Sequence, residues 1–145
     1  MVIYFTRHAE KADIGTNPPI SNAGRARAKV LAHILTDTKL KAVYVTQFLR
    51  TQMTGETITE ALDLADPVHY DAGNPTEVIT KARNEFPDGN VLIIGHSNTL
   101  DDIANELGIP SVPELEEHQF DRLFAIHIHE HTPHLQRLRY GIPTP

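Results

Sequence analysis

The sequence contains no cysteine. That removes disulfides, thiolate metal sites and any mechanism with a cysteine nucleophile, and it leaves the redox compartment open. No apolar run approaches the ~20 residues that a membrane-spanning helix needs. Val2–Phe5 is too short for the apolar core of a secretion signal, so the expected location is the cytoplasm. Positive charge is also scarce: 13 Lys and Arg stand against 19 Asp and Glu, a formal net charge of −6. Phosphate backbones and anionic membranes attract clustered Lys and Arg, so neither a nucleic acid nor a membrane is an expected partner. A small anion remains open to a few basic residues that converge locally. Repeats, low-complexity segments and linkers are absent as well. The 145 residues are therefore expected to form a single domain spanning 1–145, large enough for a real core. The oligomeric state is left open.

What is there reads as alternating strands and helices. Val2-Ile3-Tyr4-Phe5-Thr6 is β-branched and aromatic, the pattern of a strand buried on both faces. Ser21 is a candidate helix start, and Ala23, Ala26, Val30, Leu31 and Ile34 recur at helical spacing as the expected inward stripe. Lys41–Thr46 is a second strand. Leu49–Leu62 is a helix candidate, with Met53, Ile58 and Leu62 facing inward. Asn74 is placed to cap a helix starting at Pro75 and running to about Phe86. The run "VLIIG" is the clearest parallel-sheet strand, followed by a helix that Gly108 closes. After the proline-containing loop "PSVPELEEH", "RLFAIHIHEH" and "LQRLRY" suit a final hairpin. The whole predicts an α/β fold with a mostly parallel sheet and an antiparallel strand near the end.

Sheets of this kind bind ligands beyond the carboxyl ends of their strands. Three such ends carry matching groups: Arg7 and His8, Arg50, and His96 with Ser97. Two guanidinium groups and two imidazoles at one edge suit a tetrahedral anion, because arginine donors match phosphate oxygens and histidine serves as nucleophile or proton carrier.

These residues resemble the histidine phosphatase superfamily, the phosphoglycerate-mutase-like group. Its Arg-His-Gly signature stands here as Arg7-His8-Ala9. Its second arginine motif matches "TQFLRTQMTGE" with Arg50, and its Gly-His pair matches "IIGHSNT" with His96. The resemblance implies a three-layer α/β/α sandwich and a metal-independent phosphatase without cofactor. His8 would attack phosphorus and become phosphorylated, while Arg7, Arg50 and His96 would hold the oxygens. The flanking arginines would also lower the His8 pKa. A small phosphorylated substrate or an exposed phosphorylated side chain is the implied partner. A mutase, or a silent phosphate-binding module that kept the fold, are the alternatives.

The general acid is the gap in the pattern. Asp71 is the first candidate and Glu77 the second; a member with neither would favour good leaving groups such as phosphohistidine. Lys11, Glu10, Asn17, Ser97 and Asn98 are candidate substrate contacts, although helix capping alone would account for Ser97 and Asn98. Alanine at position 9 requires a backbone that tolerates a Cβ. His127, His129 and His131 alternate, so a strand would align them on one face with His134 nearby. A flat row converges poorly on a metal, and the expected reading is a solvent-facing edge strand with Phe124, Ile126 and Ile128 on its buried side.

Overall fold

The computed structural model describes residues 1–110 and 112–145. Ser111, within the proline-containing loop, lies outside the described residues. The chain runs β1 (Val2–Arg7), α1 (Asn22–Ile34), a single 3₁₀ turn (Thr36–Thr38), β2 (Leu40–Val45) and α2 (Leu49–Ala61). It continues through β3 (Val68–His69), α3 (Glu77–Glu85), β4 (Asn90–Gly95), α4 (Leu100–Glu106), β5 (Arg122–His129) and β6 (Thr132–Arg139). One six-stranded sheet has the order β3-β2-β4-β1-β5-β6. The first four strands in that order are parallel, and β5 and β6 join antiparallel.

Two apolar layers cover the sheet. Leu31, Ala32 and Leu35 of the α1 segment and Ile58 of α2 pack on Val43, Val45, Leu92 and Ile94. On the other face Val78, Ile79 and Ala82 of α3 and Leu100, Ile103 and Ala104 of α4 pack on Ile3, Phe5, Val91 and Ile93. This is the three-layer α/β/α sandwich, with the β4 strand buried on both sides as its unbroken apolar run requires. Among the described residues no helix is long and apolar enough to cross a membrane.

Several local expectations are corrected. Ser21 does cap α1, accepting from Gly24 N at 3.1 Å. The buried stripe, however, is Gly24, Arg27, Ala28, Leu31 and Ala32. Val30 and Ile34 are 39% and 43% exposed. The helix is rotated because Arg27 turns inward to an ion pair, which an apolar pattern counts as a solvent position. Helix α2 buries Thr51, Thr54, Gly55, Ile58 and Thr59, while Met53 and Leu62 are only half-buried. Helix α3 starts at Glu77, and Asn74 gives it no side-chain cap: Asn74 holds the preceding turn through its carbonyl, which accepts from Glu77 N at 3.3 Å. Gly108 has φ +81°, as its place after α4 demands.

The final hairpin is present, but its edge is β6 and β5 lies between β1 and β6. Glu130 and His131 form a two-residue turn with φ +48° and +67°, the primed-turn conformation that matches strand twist. His131 is therefore not on the strand. His127 faces outward opposite His134, and His129 opposite Thr132. Among the described residues no group of three or more His, Asp or Glu is arranged to hold a metal ion. Phe124 and Ile126 are buried as expected, with Ile128 packed beside them.

Candidate active site

The sheet order brings the strand ends together. β1 and β4 are neighbours in register to Arg7↔Gly95, and His8 N donates to the Gly95 carbonyl at 3.0 Å. His8 and His96 therefore leave adjacent strands side by side, with ring centroids 5.6 Å apart. β2 lies on the far side of β4, and the first turn of α2 returns Arg50 to the pair: its Nε donates to His8 Nε2 at 3.2 Å.

His8 is held at both ring nitrogens. Nδ1 lies 2.7 Å from the carbonyl of Ala9. A carbonyl only accepts, so the proton is on Nδ1 and the Nε2 lone pair is free to face Arg50. Burial is the largest cause pushing the His8 pKa down to about 3, opposed by the Ala9 hydrogen bond and assisted by Arg7, His96 and Arg50. The arginines thus act as expected, but behind desolvation. His96 is pushed down to about 4 by burial first, then by Arg50 and Arg7. Its Nε2 shares a 3.0 Å hydrogen bond with the Thr46 hydroxyl, which is 2.9 Å from Thr51 Oγ1.

Arg7 is buried and its Nη1 donates to the carbonyls of Glu117 at 2.7 Å and Glu116 at 3.3 Å. Its Nε has no hydrogen-bond partner among the described residues. Two phenylalanines flank the cluster. Arg7 stacks over Phe120 at 4.1 Å and Arg50 over Phe48 at 4.5 Å. The same rings lie 6.2 Å from His8 and 5.2 Å from His96. Ala9 keeps negative φ, its N–H donates to Thr54 Oγ1 at 3.1 Å, and its methyl group is fully buried, so the backbone accommodates the Cβ.

The outer candidates separate from this cluster. Glu10 turns away: Arg27 Nε donates to both its carboxylate oxygens, at 2.8 and 3.0 Å. It anchors the loop after His8 instead of facing the strand ends. Asn17 Oδ1 accepts from Leu49 N at 3.1 Å, fixing the start of α2 one residue before Arg50. Lys11 is exposed and its backbone bridges to Ile20. Ser97 is half-buried with its carbonyl accepting from Leu115 N at 2.9 Å, and Asn98 is exposed. Neither caps α4, which starts at Leu100; Thr99 Oγ1 ties back to His96 N at 3.1 Å. Asp71 is an exposed turn residue whose Oδ1 accepts from Gly73 N at 2.9 Å and Gln47 Nε2 at 3.3 Å. Glu77 is exposed at the start of α3. Neither carboxylate is hydrogen-bonded to a member of the cluster.

The profile of the histidine phosphatase superfamily (branch 1) matches residues 3–73, the stretch that carries Arg7, His8 and Arg50. Over that stretch the chain is similar to the histidine phosphatase superfamily. No curated protein matches the sequence closely enough to add to this. Solved structures of the same fold include the protein histidine phosphatase SixA complexed with tungstate, 20% identical, with 96% of this chain and 97% of that one covered at a TM-score of 0.74. The α-ribazole phosphatase from Shigella flexneri is 16% identical over 99% of this chain and 100% of its own, TM-score 0.74. YhfR from Bacillus stearothermophilus is 16% identical over 92% and 94%, TM-score 0.72. The matched stretch takes in the motifs after β1 and β2, and His96 lies beyond it. Of the two walls Phe48 falls inside that stretch and Phe120 outside it, and neither gave a separate sequence signal, one standing at a helix start and the other in a loop.

Proposed function

We propose that the chain is a metal-independent phosphatase that cleaves phosphate monoesters or phosphorylated side chains through a phosphohistidine on His8. The observation that carries this reading is the His8 ring itself, with its proton on Nδ1 toward Ala9 and its Nε2 facing the Arg50 guanidinium. In the first step the Nε2 lone pair forms an N–P bond as the bond from phosphorus to the leaving group breaks. The leaving atom takes that electron pair and then a proton from solvent water. Arg7, Arg50 and His96 hold the remaining oxygens, where transition-state charge grows. Water then attacks phosphorus, the N–P bond breaks, its electron pair returns to Nε2, and orthophosphate leaves.

Asp71 is the first candidate acid, yet it is committed to a turn. A site with no carboxylate hydrogen-bonded to its histidines suits leaving groups that depart with little protonation. Aryl phosphates and phosphohistidine fit, and Phe48 and Phe120 offer apolar walls to a planar group. That one neighbour in fold is named a protein histidine phosphatase supports a phosphorylated side chain as the natural substrate.

The experiment is turnover of a chromogenic aryl phosphate with and without EDTA, paired with acid quench of the phosphoenzyme. Chelator-resistant hydrolysis and an acid-labile phosphoryl group, both lost in His8→Ala, support the reading. No turnover with aryl phosphate or phosphohistidine would overturn it. If Asp71→Asn slows an alkyl phosphate while sparing the aryl ester, Asp71 is the acid; equal rates for both remove it.

A further inference from the structure

On the edge of the sheet beyond Arg7 lies a basic cavity that the proposed reaction does not use. Antiparallel register sets Arg122 directly opposite Arg139 and Phe124 opposite Arg137. On β6 the face that points toward α4 starts as core, with Leu135 packed against the apolar cluster. Two residues on, the same face continues as Arg137 and Arg139. These side chains and Arg122 line a cavity of about 270 Å³ between the hairpin and the 112–119 loop, floored by Phe124, Val112 and Leu115.

The charges there are not balanced from within. Directly opposed like charges on a sheet repel, yet three guanidinium groups share this wall. Asp121 is the nearest compensating group, and it is already saturated: it pairs with Arg122 and accepts from Thr144 N at 3.2 Å and Thr144 Oγ1 at 2.8 Å. Arg139 reaches it only at 3.9 Å. Among the described residues Arg137 has no ion pair, and Glu114 is the one carboxylate on the lining itself. In a protein of net charge −6, a cluster of arginines around an apolar floor is placed against the overall balance. Edge protection by charge would need only one such residue, and either sign would serve.

We propose that this cavity is a second anion-binding site, which takes a small organic anion with a phosphonate, phosphate or carboxylate head on a compact apolar body. Arg137 and Arg139 hold the head by charge-assisted hydrogen bonds. Phe124, Val112 and Leu115 receive the body, and Gln119 is a polar residue on the same lining. The site shares a wall with that cluster, because the loop that lines it also presents the Glu116 and Glu117 carbonyls to Arg7. The assignment does not depend on chemistry at His8.

The test uses phenylphosphonate, which cannot be hydrolysed, and the arginine Nε–Hε NMR signals of the full chain. Wild type is expected to show two binding events, one of them weakened in Arg50→Ala. In that Arg50→Ala background the probe still shifts the Arg137 and Arg139 signals saturably. Adding Arg137→Gln and Arg139→Gln weakens this remaining event at least tenfold, while the wild-type rate with aryl phosphate is unchanged by the same pair alone. Both positions are exposed on an edge strand, so the fold survives and circular dichroism confirms it. Methylphosphonate, which has the head without the body, binds the cavity about tenfold more weakly, consistent with loss of a buried ring. A single binding event abolished by Arg50→Ala overturns the site. So does a remaining event indifferent to the arginine pair, or equal affinity for the two phosphonates.

Discussion

At His8, burial and the neighbouring guanidinium groups act in the same direction, and the ring stays neutral far below the range of an exposed imidazole. With His8 at about 3 and His96 at about 4, both rings are expected to remain neutral from pH 7 to pH 5. An NMR titration of the imidazole carbons tests this, and an inflection of either ring near 6.5 would contradict it. Arg50 donates to His8 Nε2 through Nε, and in the proposed reaction it turns to phosphate when substrate displaces that contact. Arg50→Ala should lower kcat by about 10²–10³-fold, the scale of losing one donor to transition-state charge. Arg50→Lys should recover little of it, because an ammonium cannot reproduce the planar fork.

Two helices place the site by contacts that polarity patterns misread. In α1, Arg27 combines the Glu10 pair with hydrogen bonds to the carbonyls of Tyr140 at 3.0 Å and Ile142 at 2.8 Å. It therefore joins the loop after His8 to the end of the chain. Arg27→Ala should destabilise the fold by about 3 kcal/mol, the low end for breaking a buried pair. The Glu10 side chain keeps 22% exposure and is spared part of the penalty. Urea denaturation measures it. In α2 the buried face is threonine, and the hydroxyls return to the backbone, as when Thr54 Oγ1 donates to the Arg50 carbonyl at 2.8 Å. That self-satisfaction lets polar side chains pack on a sheet. Gly55 permits the close approach: a Cβ there would sit 2.5 Å from Val45 Cγ1. Gly55→Ala should cost roughly 1–3 kcal/mol despite the better helix propensity of alanine. Val45→Ala in the same chain should recover part of that loss, a coupling that a double-mutant cycle reads out.

Across the whole molecule the two lowered imidazole pKa values become a dependence of stability on pH. Their folded values, about 3 and about 4, lie below the ordinary 6.5. Between these limits the unfolded chain binds more protons than the folded one, so stability rises with pH. The contribution is complete above about 6.5, is lost progressively as pH falls below that value, and is gone once pH has passed through 4 and 3. The urea midpoint should therefore decrease steadily from pH 7 to pH 4. His8→Gln should flatten that slope, and an unchanged slope would show that His8 does not differ between the two states. Together the two rings are worth on the order of a few kcal/mol.

Strands β1 and β4 were legible because a strand buried on both faces must be apolar without interruption, and because Gly95 and the charges after Thr6 end them abruptly. Arg7, His8, Arg50 and His96 were legible for the same reason: the ends of parallel strands are where polar groups can gather beside a core. The amino-acid order could not say that β1 and β4 are neighbours in the sheet, which is what sets one histidine beside the other. Nor could it say that Arg27 faces inward, that Glu10 turns away, or that Asp71 serves a turn. Each of those depends on a partner 17 or more residues away or on local loop geometry. Sequence carries hydrophobic period and strand ends because these are local free energies of burial. Tertiary structure decides pairing, because a buried charge goes where its counter-charge is, and that position exists only in the folded chain.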